Sequence, residues 1–469
     1  MRLLPFVNYP SPTHHSRLLQ LDFLRGVAIL MVLINHQIPE AIPASGPIKA
    51  IAKFGIEVGW LGVDLFFVIS GFLIGSLLFN ELKFKKEIDV RRFLIRRGLR
   101  IWPAYYVFIF CVALSEWYRP TWYVRGNGPA TGDYTWTLLQ RLAVNVFNIQ
   151  NYTMSLRAHT WSLAVEEHFY LALPFLLIAL TRRWRSEGDW TRPIAALPWV
   201  TLALFLFCSG ARAYNGLTYE KPAYFATHFR IDELFVGVLL AYCNCLRPGF
   251  TEVVGRHRGA LMTVGVAATA GLVYVVFQDF KLRFTCITPL ALISFSAFLM
   301  ALITTPVNQG WIGKGLGSLP ARVVAFIGVY SYSIYLWHPD LGVRPIELLY
   351  KKGFFGAYGT NLTWFLVMLV LITAEVFIGV ATSKLIEEPV LALRDRLFPR
   401  RTSVITRDEA ASSPESRSSG SGDQADVIIE RQSALTPTRA VGDSRAPIGG
   451  GARISRNSPD AAGLNSPAS

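Results

Sequence analysis

Residues 59–80 read GWLGVDLFFVISGFLIGSLLFN, twenty-two positions among which only Asp64 is charged. A helix crossing the hydrocarbon core of a bilayer needs about 20 mostly apolar residues, so this stretch, taken from 57 to 80, is predicted to span. Reading outward finds similar runs near 21–39, 101–117, 160–180, 195–211, 231–246, 260–277, 285–304, 321–338 and 362–386. Composition agrees. Of 469 residues, 52% are hydrophobic and 17% charged, and the mean hydropathy is +0.35. A soluble globular domain carries about 25% charged residues, and a disordered chain combines low hydrophobicity with high charge. Neither description fits residues 21–398. The predicted fold is all-α: a polytopic membrane bundle of about ten transmembrane helices.

The net charge of +14 lies entirely before residue 401, because 401–469 holds eight basic and eight acidic residues. Basic residues set between apolar runs orient a membrane chain and do not imply nucleic-acid binding. They are densest in 81–100, at Lys83, Lys85, Lys86, Arg91, Arg92, Arg96, Arg97 and Arg100. With that segment in the cytoplasm and ten spans, both termini are cytoplasmic. Residues 1–20 are then a cytoplasmic N-terminal segment leading into a retained signal anchor, since no small-residue cleavage site follows the first apolar run. Residues 21–398 form the transmembrane domain. Residues 399–469 are expected to be a disordered cytoplasmic tail, too short and polar for a second catalytic domain. From 401 on there is no aromatic residue and there are 13 Ser, so too little apolar surface is available to bury. The five cysteines all fall in apolar runs and read as packing residues, not disulfides or metal ligands.

Ionisable groups at membrane depth are costly and mark function by default. Arg25 and His36 are 11 residues apart, about three turns and roughly 16 Å of helix, so both project from one stripe. Arg25 falls near the cytoplasmic end and His36 near the outer end. Asp64 lies one or two turns into the second span, near the level of His36, where a carboxylate could fix a histidine tautomer. In the third span Pro103 suits a first helical turn. Arg97 and Arg100, three apart, share a face if the helix begins early. Three guanidiniums at one depth, Arg25, Arg97 and Arg100, suit a phosphate-bearing ligand. The fourth span opens HTWSLAVEEHFY from His159 to Tyr170. Its Glu166 and Glu167 are predicted near the level of His36. The ninth span ends YSYSIYLWH, with Tyr335 and His338 one turn apart at the outer face. An aromatic belt explains Trp337 there, but not His338. Two layers result: outer His36, Asp64, Glu166, Glu167 and His338, and inner Arg25, Arg97 and Arg100.

These segments resemble the acyltransferase 3 family of integral-membrane acyltransferases. The matching pieces are LDFLRGVA from Leu21 with His36, an Arg-x10-His signature, then GVDLFFVISGF from Gly62, and Arg97-x-x-Arg100 with the Pro103-Ala-Tyr-Tyr that follows. WSLAVEEHFY from Trp161, YSIYLWH from Tyr332 and Glu387-Glu-Pro389 complete the series, in the family's order, over roughly 18–395. The resemblance implies transfer of an acyl group, often acetyl, to a hydroxyl. Family acceptors include polysaccharides, lipopolysaccharide O-antigen, oligosaccharide signals, glycolipids and macrolides. It also implies a catalytic His36 and functionally required Arg25, Arg97 and Arg100. The catalytic candidates are therefore His36 as general base, Asp64 as its support, and Glu167. The substrate-binding candidates are Arg25, Arg97, Arg100, Glu166, Trp161, Tyr335 and His338. No cofactor is bound permanently. Acyl-CoA, in the simplest case acetyl-CoA, is the donor, a glycan or glycolipid the acceptor, and the bacterial inner membrane the location. Acyl-CoA is cytoplasmic, whereas His36 is nearer the outer face. Either the pantetheine arm reaches deep into the bundle, or an acyl-enzyme relay crosses it, or His36 sits deeper. The alternative class is a secondary transporter or exporter of an acylated glycan or lipid-linked saccharide, since proton relays also use intramembrane His, Asp and Glu.

Overall fold

A computed structural model describes residues 18–36, 47–118, 134–182, 194–219, 224–278, 280–354 and 361–399. The N-terminal segment up to residue 17 and the tail from 400 lie outside the described residues. The described residues belong to one compact unit, Met1–Pro414.

Among the described residues every regular element is a helix. In chain order these are α1 (Leu19–Asn35), α2 (Pro47–Gly59), α3 (Leu61–Lys85), α4 (Val90–Tyr118) and α5 (Tyr134–Val146). A 3-10 turn, Ala158–Thr160, leads into α6 (Trp161–Arg182), followed by α7 (Leu197–Thr218), α8 (Ile231–Leu246), α9 (Phe250–Arg256), α10 (Arg258–Val276) and α11 (Phe280–Ile303). Then come α12 (Gly310–Gly317), α13 (Leu319–Val329) and α14 (Ser331–His338), with a π-helical turn at Pro339–Val343. The last are α15 (Arg344–Lys351), α16 (Asn361–Thr382), a second π-helical turn at Ser383–Glu387 and α17 (Glu388–Leu397).

The described parts of all ten predicted runs fall largely on helices. Among the described residues seven helices are long and apolar enough to cross a membrane, and nine if each sharply bent pair counts as one span: α8 with α9 at 105°, and α12 with α13 at 63°. The first helix, α1, is 17 residues long.

Three boundaries differ from expectation. The second run breaks at Trp60 and then continues to Lys85. The ninth is divided at Tyr330 into α13 and α14. The third begins at Val90, so Pro103 sits inside the helix and not in its first turn. Asp89 explains the early start: its Oδ1 accepts the Arg92 N–H at 3.0 Å, satisfying a free donor of the first turn.

Close helix approach builds the core. A Cβ on Gly71 would lie 1.9 Å from the Leu234 carbonyl oxygen, and one on Gly237 2.2 Å from that of Val68, so α3 and α8 cross backbone to backbone. Gly62 makes the same kind of approach to Ala28 on α1, at 2.4 Å. By contrast α3 and α4, consecutive and joined by a short turn, scarcely touch. The space left between them becomes part of the site.

Candidate active site

His36 ends α1. Its Nδ1–H donates to the Val32 carbonyl at 2.9 Å, so in the neutral ring Nε2 carries the free lone pair. The His338 ring meets it edge-on, with centroids 4.7 Å apart, and the His159 ring lies 5.2 Å beyond His338. His338 repeats the arrangement: Nδ1–H donates to the Tyr335 carbonyl at 2.8 Å, and Nε2 is buried with no hydrogen-bond partner among the described residues. His159, to which the sequence reading gave no role, donates from Nε2 to the Leu336 carbonyl at 3.2 Å. Three imidazoles from α1, the turn before α6 and the end of α14 thus meet, each with one nitrogen committed to the backbone.

A buried ion network holds this end together. Arg157, two residues before His159, binds Asp340, two residues after His338, at 3.0 Å, and Glu116 of α4 at 2.9 Å. Arg344 joins the same two carboxylates at 2.9 and 3.2 Å.

Asp64 does not support His36. It is fully buried and paired with Arg230, at the start of α8. Arg230 also lies 3.1 Å from Glu233, and Arg212 pairs with Asp232 at 2.7 Å. The helical period gives the reason. Gly62 faces α1, and two residues further on Asp64 is turned by about 200°. Seven residues separate it from Gly71, which places both on the stripe facing α8. Trp161 joins this cluster: the Arg230 guanidinium lies 5.4 Å from its ring and 4.3 Å from that of Tyr224.

Below the histidines a cavity of about 550 Å³ runs between α3, α4 and α6. Its inner end is lined by Arg25, Arg92, Arg96, Arg97, Arg100 and Arg394, and its other end by Ser162 and Tyr335. Ser162 Oγ and Tyr335 Oη are 2.7 Å apart. Tyr335 donates to the His159 carbonyl at 2.7 Å, so the end of the cavity abuts the histidine cluster. Arg97 donates to the Tyr170 hydroxyl and stacks on its ring, 4.1 Å from the centroid. The Tyr170 hydroxyl in turn donates to Glu166 Oε2 at 2.6 Å. Among the described residues Arg25 forms an ion pair with Asp22, at 3.8 Å. Arg100 makes no hydrogen bond or ion pair among the described residues.

Glu166 therefore belongs to the arginine layer and not to the outer one. His159 marks the outer level, and Glu166 lies seven residues, roughly 10 Å of helix, further in. Glu167, turned away by about 100°, accepts from Trp102 Nε1 of α4 at 3.3 Å and leaves Oε1 buried without a partner.

A family model described as an acyltransferase domain matches residues 18–381, which takes in the histidine cluster and nearly the whole cavity. The chain belongs to the acyltransferase 3 family. Several apolar helices in this family context make it a multi-pass membrane protein. Among curated relatives, the O-acetyltransferase OatA of Staphylococcus aureus strain NCTC 8325 is 29% identical over 325 residues, covering 64% of this chain and 50% of the relative. A putative O-acetyltransferase of S. aureus strain COL is 29% identical over 333 residues, covering 68% of this chain and 49% of the relative. The chain spans about half the length of these relatives. No solved structure matches it.

Within this chain, the Arg230 cluster and the Arg157 network are what sequence reasoning passed over. A signal existed for the first: Arg230, Asp232 and Glu233 open an otherwise apolar run, and intramembrane ions mark sites.

Proposed function

We propose that the protein is an O-acyltransferase of a bacterial inner membrane. It moves an acyl group, in the simplest case acetyl, from acyl-CoA to a hydroxyl of a glycan or glycolipid. One observation carries this reading: a single cavity is lined by a group of arginines and reaches Ser162 and Tyr335, against the histidine cluster. A donor whose phosphates rest at the arginines can extend its thioester toward His36, which favours a deep-reaching pantetheine arm over a relay.

In this reading Arg25, Arg97 and Arg100 hold the coenzyme A phosphates. The planar fork of Arg binds phosphate oxygens in pairs. Arg100 is the clearest such group, because it makes no hydrogen bond or ion pair among the described residues. Glu166 keeps Arg97 on the cavity wall through Tyr170. His36 Nε2 takes the proton of the acceptor hydroxyl as its oxygen attacks the thioester carbonyl. The tetrahedral intermediate collapses, the carbon–sulfur bond breaks, and the proton returns from His36 to the thiolate. General base catalysis of this kind is worth about 10²–10⁴-fold. Tyr335 lines the acceptor side, and His338 backs it from within, its ring against that of His36. Asp64 and Trp161 act through Arg230, fixing α3 against α8, and Glu167 holds α4 through Trp102.

The test is consumption of acetyl-CoA by purified protein in detergent, with a glycan acceptor and no ion gradient. Thiol release that depends on acceptor supports transfer. Its absence, together with gradient-driven uptake of glycan in vesicles, would favour a transporter.

A further inference from the structure

The same cavity has a second opening. On α3 its wall is formed by Phe66, Leu73, Leu77 and Phe84, spaced 7, 4 and 7 apart, which is one helical stripe. Leu77 is 55% and Phe84 58% exposed although both line the cavity. Across the gap, Arg92, Arg96 and Arg100 recur every fourth residue on one stripe of α4. The backbones of α3 and α4 come close at few points, and the exposure of Leu77 and Phe84 between them leaves the slot open sideways as well as toward the cytoplasm.

One wall is thus hydrocarbon and the other cationic, at the cytoplasmic end of the spans. Acidic groups do not cancel the charge: Glu81 is taken by Lys85 at 2.9 Å, Glu166 accepts from Tyr170, and Asp395 is one carboxylate shared between Arg96 and Arg394, at 3.0 and 2.8 Å. A coenzyme entering from the cytoplasm needs no sideways opening and has no use for Leu77 or Phe84. A two-chained lipid with a charged head needs both walls. Basic pockets between membrane helices on this side bind anionic headgroups, at about 1 kcal/mol per cation.

We propose that the α3–α4 slot binds one anionic phospholipid of the cytoplasmic leaflet. Its phosphodiester lies at Arg96 and Arg100, and its acyl chains pass out along Leu77 and Phe84. Resting on the reading above, in which Arg100 also receives donor phosphate, the lipid and the coenzyme exclude one another.

The experiment is native mass spectrometry of the full chain released from nanodiscs of dioleoyl phosphatidylcholine with a minority of dioleoyl phosphatidylglycerol. One phosphatidylglycerol should stay bound per chain, in preference to phosphatidylcholine. Arg100→Gln should lower its retention about fivefold. Leu77→Trp, which narrows the slot with an apolar ring, should lower it independently. Added coenzyme A should displace the lipid, whereas glycerol 3-phosphate, a headgroup without chains, should not replace it. No preference for phosphatidylglycerol, or retention unchanged in both variants, would overturn the site. Retention that coenzyme A leaves untouched would overturn the shared position. Because binding is read without turnover, an absence of acyl transfer would count against the enzyme reading and leave this one standing.

Discussion

The rings of His36 and His338 meet edge-on with centroids 4.7 Å apart, and each donates its Nδ1–H to a carbonyl of its own helix end. Two histidines 302 positions apart in the sequence thus present Nε2 lone pairs at one site. Their roles differ in burial. His338 is fully buried, whereas His36 keeps partial exposure and can meet an acceptor.

Replacing His338 should therefore disturb the acceptor more than the donor. His338→Gln is expected to raise the acceptor KM and to leave the acetyl-CoA KM near wild type. Steady-state titration of each substrate in turn checks this. An effect on the donor KM alone would remove His338 from the acceptor side.

Arg100→Lys should raise the acetyl-CoA KM about tenfold, corresponding to roughly 1.4 kcal/mol, with kcat little changed. The phosphates lie far from the reacting carbonyl, so their contacts are alike in ground and transition states. Arg97→Lys should do the same and also lower stability, because it loses the stacking on Tyr170. Donor titration and thermal unfolding of both variants separate the two effects. An unchanged donor KM in both would move the donor site elsewhere.

Asp64→Asn removes a partner from a fully buried ion cluster. Breaking such a pair costs about 3–5 kcal/mol, so expression and unfolding temperature should fall. Asp64→Asn combined with Arg230→Gln should lose less than the sum of the two single changes. Strict additivity would mean that the pair is not coupled.

Truncation after residue 400 should leave activity largely intact, since no candidate site residue lies beyond it. Truncation after residue 390 should not. It removes Asp395, which binds Arg96 at 3.0 Å, and the Phe398 and Pro399 carbonyls that accept from Arg96 and Arg92 at the cavity mouth. Acetyl-CoA turnover by the two truncated proteins checks this. Equal activity in both would show that this segment does not support the mouth.

Much of the fold was legible because membrane helices must be long and continuously apolar, as in 59–80. The common stripe of Arg25 and His36 was legible because both lie on one helix, where spacing alone sets direction. Partners across helices were not. Asp64 and His36 share a predicted depth, yet the face of α3 carrying Asp64 is turned to Arg230. Glu166 was set too far out because its depth was counted from a span boundary, whereas the turn at Ala158–Thr160 places His159 at the outer level. His159 itself resembles any histidine at a helix start until His338 is brought beside it.

The most direct test of His36 as general base compares purified wild-type protein with His36→Ala and His36→Gln. Acceptor-dependent release of coenzyme A and acetyl-CoA binding are measured on the same preparations. The expected result is a fall in rate of about 10²–10⁴-fold in both variants, with folding and donor affinity preserved because the arginine layer lies roughly 16 Å away along α1. Wild-type turnover in a well-folded His36→Ala protein would contradict the account.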